Sequence, residues 1–322
     1  MREAVFVKLN GEKWKEIEKY VLSNALKDPD VLAGYYIQLT DDLSYSRTQY
    51  PKSYVTQYLN SIASKAHHQI YINKQEKSSR IITFWTQEVP LAMYEMRKEM
   101  LIAIVVFFTA ILIGIVSTAY DTGFTRLVLG DAYVDMTLEN IEKGDPMGVY
   151  SSMSQVYMFL IITFNNVRVS FFAYGAGLFF SIGTGWILFQ NGVMLGTFQM
   201  FFYQKGLLLF SFLSIWIHGT IEISSIVIAG GAGIHLGNSF MYPGTLPRLE
   251  SFIKGTKKSI KILIGLIPLF ITAGLLESFV TRYSDWHWSI KLFIIMLSAA
   301  YIIYYFGILP LKTHRKLYEG KD

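Results

Sequence analysis

Three side chains inside one apolar stretch have the types and spacing to do chemistry: His218, Glu222 and Ser225. Separations of four and three residues put them on one helix face, and Ala229 and Ala232 continue that face. An ionisable group at bilayer depth costs at least about 2.5 kcal/mol by insertion scales, so such groups persist by facing a bundle interior and pairing. Two uses fit the pair. It is structural, with Glu222 accepting a hydrogen bond from His218 or a nearby backbone group and fixing helix register. Or it is functional, as a proton relay, a metal site or a catalytic acid–base pair. A metal site takes three or four ligands. His218 and Glu222 supply two, and Glu277 supplies a third if the following helix packs alongside. The sequence therefore gives no complete metal or catalytic set and calls for no cofactor.

Other chemistry is excluded by composition. Cysteine is absent, which removes disulfides and thiolate metal sites. The chain contains no GxxxxGK[ST], HExxH or GxSxG. The glycine-rich run Gly230–Gly237 follows an apolar helix rather than a strand, so it is no dinucleotide fingerprint. The net charge of +5 comes from basic residues in loops flanking apolar spans. That pattern reads as orientation in a bilayer and not as nucleic-acid binding.

The elements that must position these groups fall into two compositional regimes. Residues 1–100 carry 26 charged side chains, whereas Leu101–Tyr120 carries none. The N-terminus lacks a signal-peptide core, so the first hundred residues are expected to stay cytosolic. Three helices are expected there. Residues 12–30 present Trp14, Ile17, Val21 and Leu22 on one side; a second helix starts after Asp28–Pro29; a third follows Pro51. Residues 78–100 mix Trp85, Arg97 and Lys98 with apolar residues around Pro90 and read as an interfacial elbow helix.

Leu101–Tyr120 is long enough for a first span, about 30 Å. An external loop is expected over 121–164, with six acidic residues against Arg126 and Lys143 and a short helix at Asp135–Lys143. Within it, Val156–Phe164 is too short to cross. Val169–Gln204 has room for a hairpin of two minimal spans turning at Gln190–Asn191–Gly192, or for one span plus a half-helix, and Leu207–Gly233 reads as the next span. A basic cytosolic loop at His235–Lys261 follows, then two more spans ending at Leu311, with Trp286 and Trp288 at the outer interface. Positive loops face the cytosol, and that parity favours six spans over five, since five would put either the 235–261 loop or the tail outside. The expected fold is thus all-α: a cytosolic helical region at 1–77, an elbow at 78–100, a membrane bundle at 101–311 and a basic cytosolic tail at 312–322.

Packing leaves its own pattern. Ala173, Gly177, Ser181 and Gly185 are spaced by four, and Gly192 and Gly196 repeat the spacing, as in small-xxx-small faces that let helix backbones approach. Such faces serve packing within the chain or a homodimer. Asn165, Asn166 and Arg168 are placed at an interface, with Arg168 reaching to water.

The run His218, Gly219, Glu222, then Gly230, Gly231, Gly233 and Gly237, then Pro243, Gly244 and Arg248, resembles the stage II sporulation protein M family. Glu277-Ser-Phe-Val-Thr281 extends the likeness, which covers roughly residues 80–310; the N-terminal region adds Leu59–Asn60 and Ala66–His67. The resemblance implies a multi-pass protein of a bacterial inner membrane. It also implies a non-enzymatic organiser, since the namesake acts with two partner proteins in peptidoglycan remodelling during engulfment. Relatives outside sporulation are often encoded near MoxR-type ATPases, which makes such an ATPase an expected partner. The long polar N-terminal region departs from the shorter sporulation protein, so the likeness is to the non-sporulation type. A transporter or channel using a His218/Glu222 path is the alternative, and an intramembrane enzyme the third.

Overall fold

The computed structural model describes residues 1–23, 28–72, 79–146, 154–281 and 286–319, and all regular elements among them are helical. Two compact units, Met1–Arg80 and Ile81–Asp322, make up the chain.

The first unit is a three-helix array: α1 (Glu3–Leu22), α2 (Pro29–Gln49) and α3 (Tyr54–Ile72). Its core collects Phe6, Trp14, Ile17, Val21, Leu32, Leu39, Leu59 and Ile62, the apolar faces that the helical period predicts. Asp28 caps α2 by accepting from the Asp30 amide at 2.9 Å, and Pro29 occupies the first turn, where its missing N–H costs nothing. Helix α1 begins nine residues earlier than the expected 12, because Phe6 extends the apolar stripe and packs edge-on against Trp14 at 5.2 Å. It closes at Leu22, which is 52% exposed and not part of the core; residues 24–27 of the expected helix lie outside the described residues. Trp14 Nε1 donates to Asp42 at 2.8 Å, and Lys13 pairs with the same carboxylate at 2.6 Å.

The second unit opens within α4 (Ser79–Thr83), at Ile81, and continues through a π-helical turn at Phe84–Glu88 and α5 (Val89–Glu95). Pro90 does not break this segment, since it sits in the first turn of α5 after the π turn. The elbow is also less superficial than the composition suggests. Val89, Ala92 and Met93 are buried in the bundle core, and Glu88 and Glu95 pair with Lys261 and Lys258, each at 2.6 Å.

Six long helices follow: α6 (Arg97–Tyr120), α9 (Gln155–Gly175), α10 (Ile182–Gln204), α11 (Leu208–Met241), α12 (Arg248–Leu276) and α13 (Trp288–Ile302); α7 (Thr122–Leu129) and α8 (Asp131–Glu142) lie between α6 and α9. Their contacts fix direction. Met100, early in α6, meets Gly231, late in α11, while Gln204 at the end of α10 donates to the Thr118 carbonyl at 3.1 Å. Tyr174 bonds Ser259 at 3.0 Å, and Thr163 of the same helix abuts Gly274, so α9 and α12 are antiparallel. Beyond α13, Tyr305 donates to the Trp85 carbonyl at 2.6 Å, and His314 of α14 (Leu309–His314) stacks on Tyr94 at 3.9 Å. Among the described residues the chain thus traverses the unit six times. One face gathers the start of α6, the α9–α10 turn, the link between α11 and α12, and the C-terminal helix. The opposite face carries α7, α8 and the start of α13.

Among the described residues, five helical stretches are long and apolar enough to cross a membrane: Arg97–Tyr120, Gln155–Leu178, Leu208–Met241, Arg248–Thr281 and Trp288–Tyr318. The remaining traverse, α10, carries Gln190, Asn191 and Gln199 and falls short on apolarity while running beside α6. Helix α11 is the hub. Some 67% of its most apolar stretch is buried, against 17–28% for those of α6, α9 and α13.

Three expected boundaries move. The region 121–164 is not all loop, because α9 takes up Val156–Phe164 and continues without a break through Asn165, Asn166 and Arg168. Asn166 is buried at 5% exposure, and the exposed Arg168 lies over the Phe172 ring at 5.5 Å, so both sit inside the helix and not at its end. The hairpin turn falls at 176–181, not at Gln190–Asn191–Gly192. There Phe180 and Ser181 take left-handed φ of 55° and 62°, and the Ser181 hydroxyl donates to the Ile234 carbonyl at 3.0 Å. Asn191 instead donates to the Ile187 carbonyl within α10, and Gly192 serves a close approach to Phe107. Finally, the loop expected over His235–Lys261 shrinks to 242–247, since the glycine run stays helical and α12 starts at Arg248.

The small residues explain the compactness. A Cβ on Gly177 would collide with the Gly233 carbonyl, one on Gly237 with that of Gly177, and one on Gly196 with that of Ile111. Leu188 fills the space over Gly230 and Met100 that over Gly231. Ala173 accepts from the buried Thr184 hydroxyl at 2.6 Å. These contacts are within the chain. Ala173, Gly177, Ser181 and Gly185 do not form one helix face, because the turn separates them, and nothing lies within 4 Å of a Cβ on Gly185. Pro243 and Gly244, the latter at φ 63°, make the α11–α12 link. Arg248 then opens α12, 6.0 Å from the Phe240 ring.

Candidate intramembrane polar site

Helix α11 presents His218 and Glu222 one turn apart, toward the far end of α12. That end is not α-helical: Glu277–Thr281 forms a π-helical turn. A π turn inserts an extra residue per turn, shifting the register of whatever follows and opening side chains toward a neighbour. Here it delivers two groups to one imidazole. Thr281 Oγ1 lies 3.0 Å from His218 Nδ1, and Glu277 Oε1 lies 3.7 Å from Nε2. One ligand atom from each of His218, Glu222 and Glu277 can be chosen so that all three lie within 4.8 Å of one another. Among the described residues this is the group of three such side chains close enough to share an ion.

His218 and Glu277 are buried at 5% and 8% exposure. Glu222 is half-buried because it faces a cavity of about 380 Å3. The cavity runs from the cluster past Gly219 and Asn191 to Val128, Leu129 and Tyr133 in the α7–α8 segment. Gly219 keeps this space open, since its nearest neighbours are Ile223 and Ile215 at ordinary contact distance. From α9, Asn166 comes up beside Glu222, close enough for its side chain to hydrogen-bond the carboxyl. Ser225 stands apart: its hydroxyl donates to the Ile221 carbonyl at 2.7 Å, a bond within its own helix.

The structure therefore joins His218 and Glu222 to Glu277 and adds Thr281 and Asn166, which the sequence reasoning did not include. Asn166 carried the same signal as Glu222, a polar residue in an apolar run, but the run was read as too short to cross. Thr281 was marked only as the end of the Glu277–Thr281 likeness and given no role, because its position beside His218 depends on the π turn. A second, smaller pair, His235 and Glu99 at 3.2 Å, sits nearer the face that carries the elbow.

Chemically, two carboxyl groups and an imidazole around a cavity can hold a cation, pass a proton or act on a bound molecule. Comparison with known proteins narrows the frame. The family model described as Stage II sporulation protein M matches residues 103–282, which include every member of this cluster. A separate model, described as a domain of unknown function (DUF8413), matches residues 4–72, the three-helix unit. No curated protein and no solved structure matches the chain.

Proposed function

We propose that this chain, which belongs to the stage II sporulation protein M family of integral membrane proteins, is a multi-pass anchor of a bacterial inner membrane that organises a cell-envelope assembly by docking rather than by catalysis. The observation that carries the reading is the three-helix unit. It has a core of its own, coincides with a separate family model, and is joined to a membrane bundle. A charged helical module attached to a bundle is suited to capture a partner and hold it at the bilayer. The charge distribution supports an orientation with both termini in the cytosol. Lys254, Lys257, Lys258, Lys261 and Lys312 belong to the face where α12 begins and the chain ends, and Asp121, Asp131, Asp135, Glu139 and Glu142 to the other. A MoxR-type ATPase or an envelope hydrolase is the partner class proposed.

Co-purification from native membranes in mild detergent, with and without residues 1–72, tests this. A stoichiometric partner lost with those residues supports docking. A full chain that emerges alone, or a partner retained without residues 1–72, overturns it. The cavity favours a second reading, a conduction path through His218 and Glu222. Against it, Leu188 on Gly230 and Met100 on Gly231 close the bundle beyond the cluster. Glu222→Gln that leaves proton or ion flux unchanged in proteoliposomes would remove that reading.

A further inference from the structure

We propose that His218, Glu222 and Glu277 bind one divalent transition-metal ion of the zinc class within the membrane bundle, with a fourth coordination position facing the cavity. The argument starts from charge. Two carboxylates and a neutral imidazole around a dication give a net-neutral unit, the arrangement that a low-dielectric interior tolerates best. Without a cation the two carboxyl groups cannot both stay ionised this close together, and at least one must hold a proton instead.

Distance agrees. Bonds of about 2.1 Å at tetrahedral angles place ligand atoms roughly 3.4 Å apart. The three here lie within 4.8 Å, so side-chain rotation of about 1 Å closes the shell without moving a helix. Donor type selects the ion. Imidazole with carboxylates suits zinc, manganese or iron, whereas Cu(I) favours thiolates, of which the chain has none. Calcium takes six to eight oxygens and magnesium a near-octahedral oxygen shell, more than this cluster supplies.

Two neighbours point the same way. Ligating histidines donate their other ring N–H to an outer acceptor, and Thr281 Oγ1 sits at 3.0 Å from Nδ1, leaving Nε2 directed to Glu277. Asn166 is buried at 5% exposure, with its side chain within hydrogen-bonding reach of the Glu222 carboxyl. Once Glu222 turns one oxygen to a metal, that amide can hold the other. Three protein ligands with one open position distinguish sites that bind water or substrate from closed structural sites, and the open side here is the cavity past Gly219. This inference does not depend on the docking reading.

The test uses the full chain without a polyhistidine tag, in detergent, stripped by a chelator and titrated with Zn2+ against a chromophoric competitor. The expected result is about one ion per chain, with X-ray absorption showing one nitrogen and otherwise oxygen neighbours near 2.1 Å. His218→Ala and Glu277→Gln should each weaken binding by at least about 100-fold, and Thr281→Val by about 10- to 100-fold. His235→Ala, at the other histidine–carboxylate pair, should leave it unchanged. Size-exclusion profiles identify variants that fail to fold. The wild-type stoichiometry and absorption spectrum decide the question without them. A wild-type protein that binds no ion stoichiometrically, or wild-type affinity in His218→Ala and Glu277→Gln, overturns the proposal.

Discussion

Trp14→Ala should open the three-helix unit selectively. Trp14 is 2% exposed, packs edge-on against Phe6 and donates to Asp42. Truncating a buried tryptophan costs about 3–5 kcal/mol. If opening of the unit governs amide exchange, that cost raises exchange rates across α1–α3 by about a hundred- to several-thousand-fold. Trp14→Phe keeps most of the packing and loses the hydrogen bond. Because Lys13 still pairs with Asp42 at 2.6 Å, the carboxylate is not left alone, and the cost should be only about 1 kcal/mol, or roughly fivefold in rate. Hydrogen–deuterium exchange on the full chain in detergent reads both, peptide by peptide, with α11 peptides as the internal reference. Unchanged protection of α1–α3 in Trp14→Ala would refute the assignment of Trp14 as the centre of that core. An equal effect of Phe and Ala would refute the division of the cost between packing and hydrogen bond.

Other outcomes follow from the same geometry. Gly177→Leu should abolish a monodisperse, folded bundle, because even its Cβ meets the Gly233 carbonyl, whereas Gly185→Ala should melt at or slightly above wild type; thermal scans in detergent compare them. Gly219→Leu should fill part of the cavity and exclude small apolar probes while melting near wild type, since a Cβ there meets only ordinary contacts; retained probe binding would contradict the open role given to Gly219. The Tyr58 phenol is pushed up to about 12 by burial, reinforced by its hydrogen bond to Glu18. An unfolded phenol ionises near 10, so this contribution to stability is intact below about pH 10 and is lost as pH rises toward 12. Tyr58→Phe should flatten that alkaline decline in melts between pH 9 and 12, and identical slopes would count against it.

Much of this architecture was legible because helix period and charge are local signals. Leu32, Leu39 and Leu59 announce their faces by spacing, and Asp28–Pro29 announces a helix start. His218 and Glu222 could be paired from their four-residue interval alone. What stayed hidden depends on neighbours distant in sequence. Gly192 looks like a turn until α6 is laid against it, and the actual reversal, at 176–181, puts its left-handed positions on Phe180 and Ser181 and not on a glycine or asparagine. The end of α11 was misplaced for the same reason, since a run of glycines signals a break in isolation and a crossing point when Ala173, Gly177 and Leu188 pack upon it.

The cluster also imposes an order on biosynthesis. Glu222 and Glu277 are 55 residues apart, so at about 5–20 residues per second the ribosome delivers the second carboxyl roughly 3–11 s after the first. His218 and Asn166 precede Glu222 in the chain and are already available to accompany it. Thr281 and the π turn are not. During that interval α11 resides at the insertion machinery with an incomplete set of polar companions. Its 34-residue length, most of it apolar, well exceeds the roughly 20 residues that a membrane span requires.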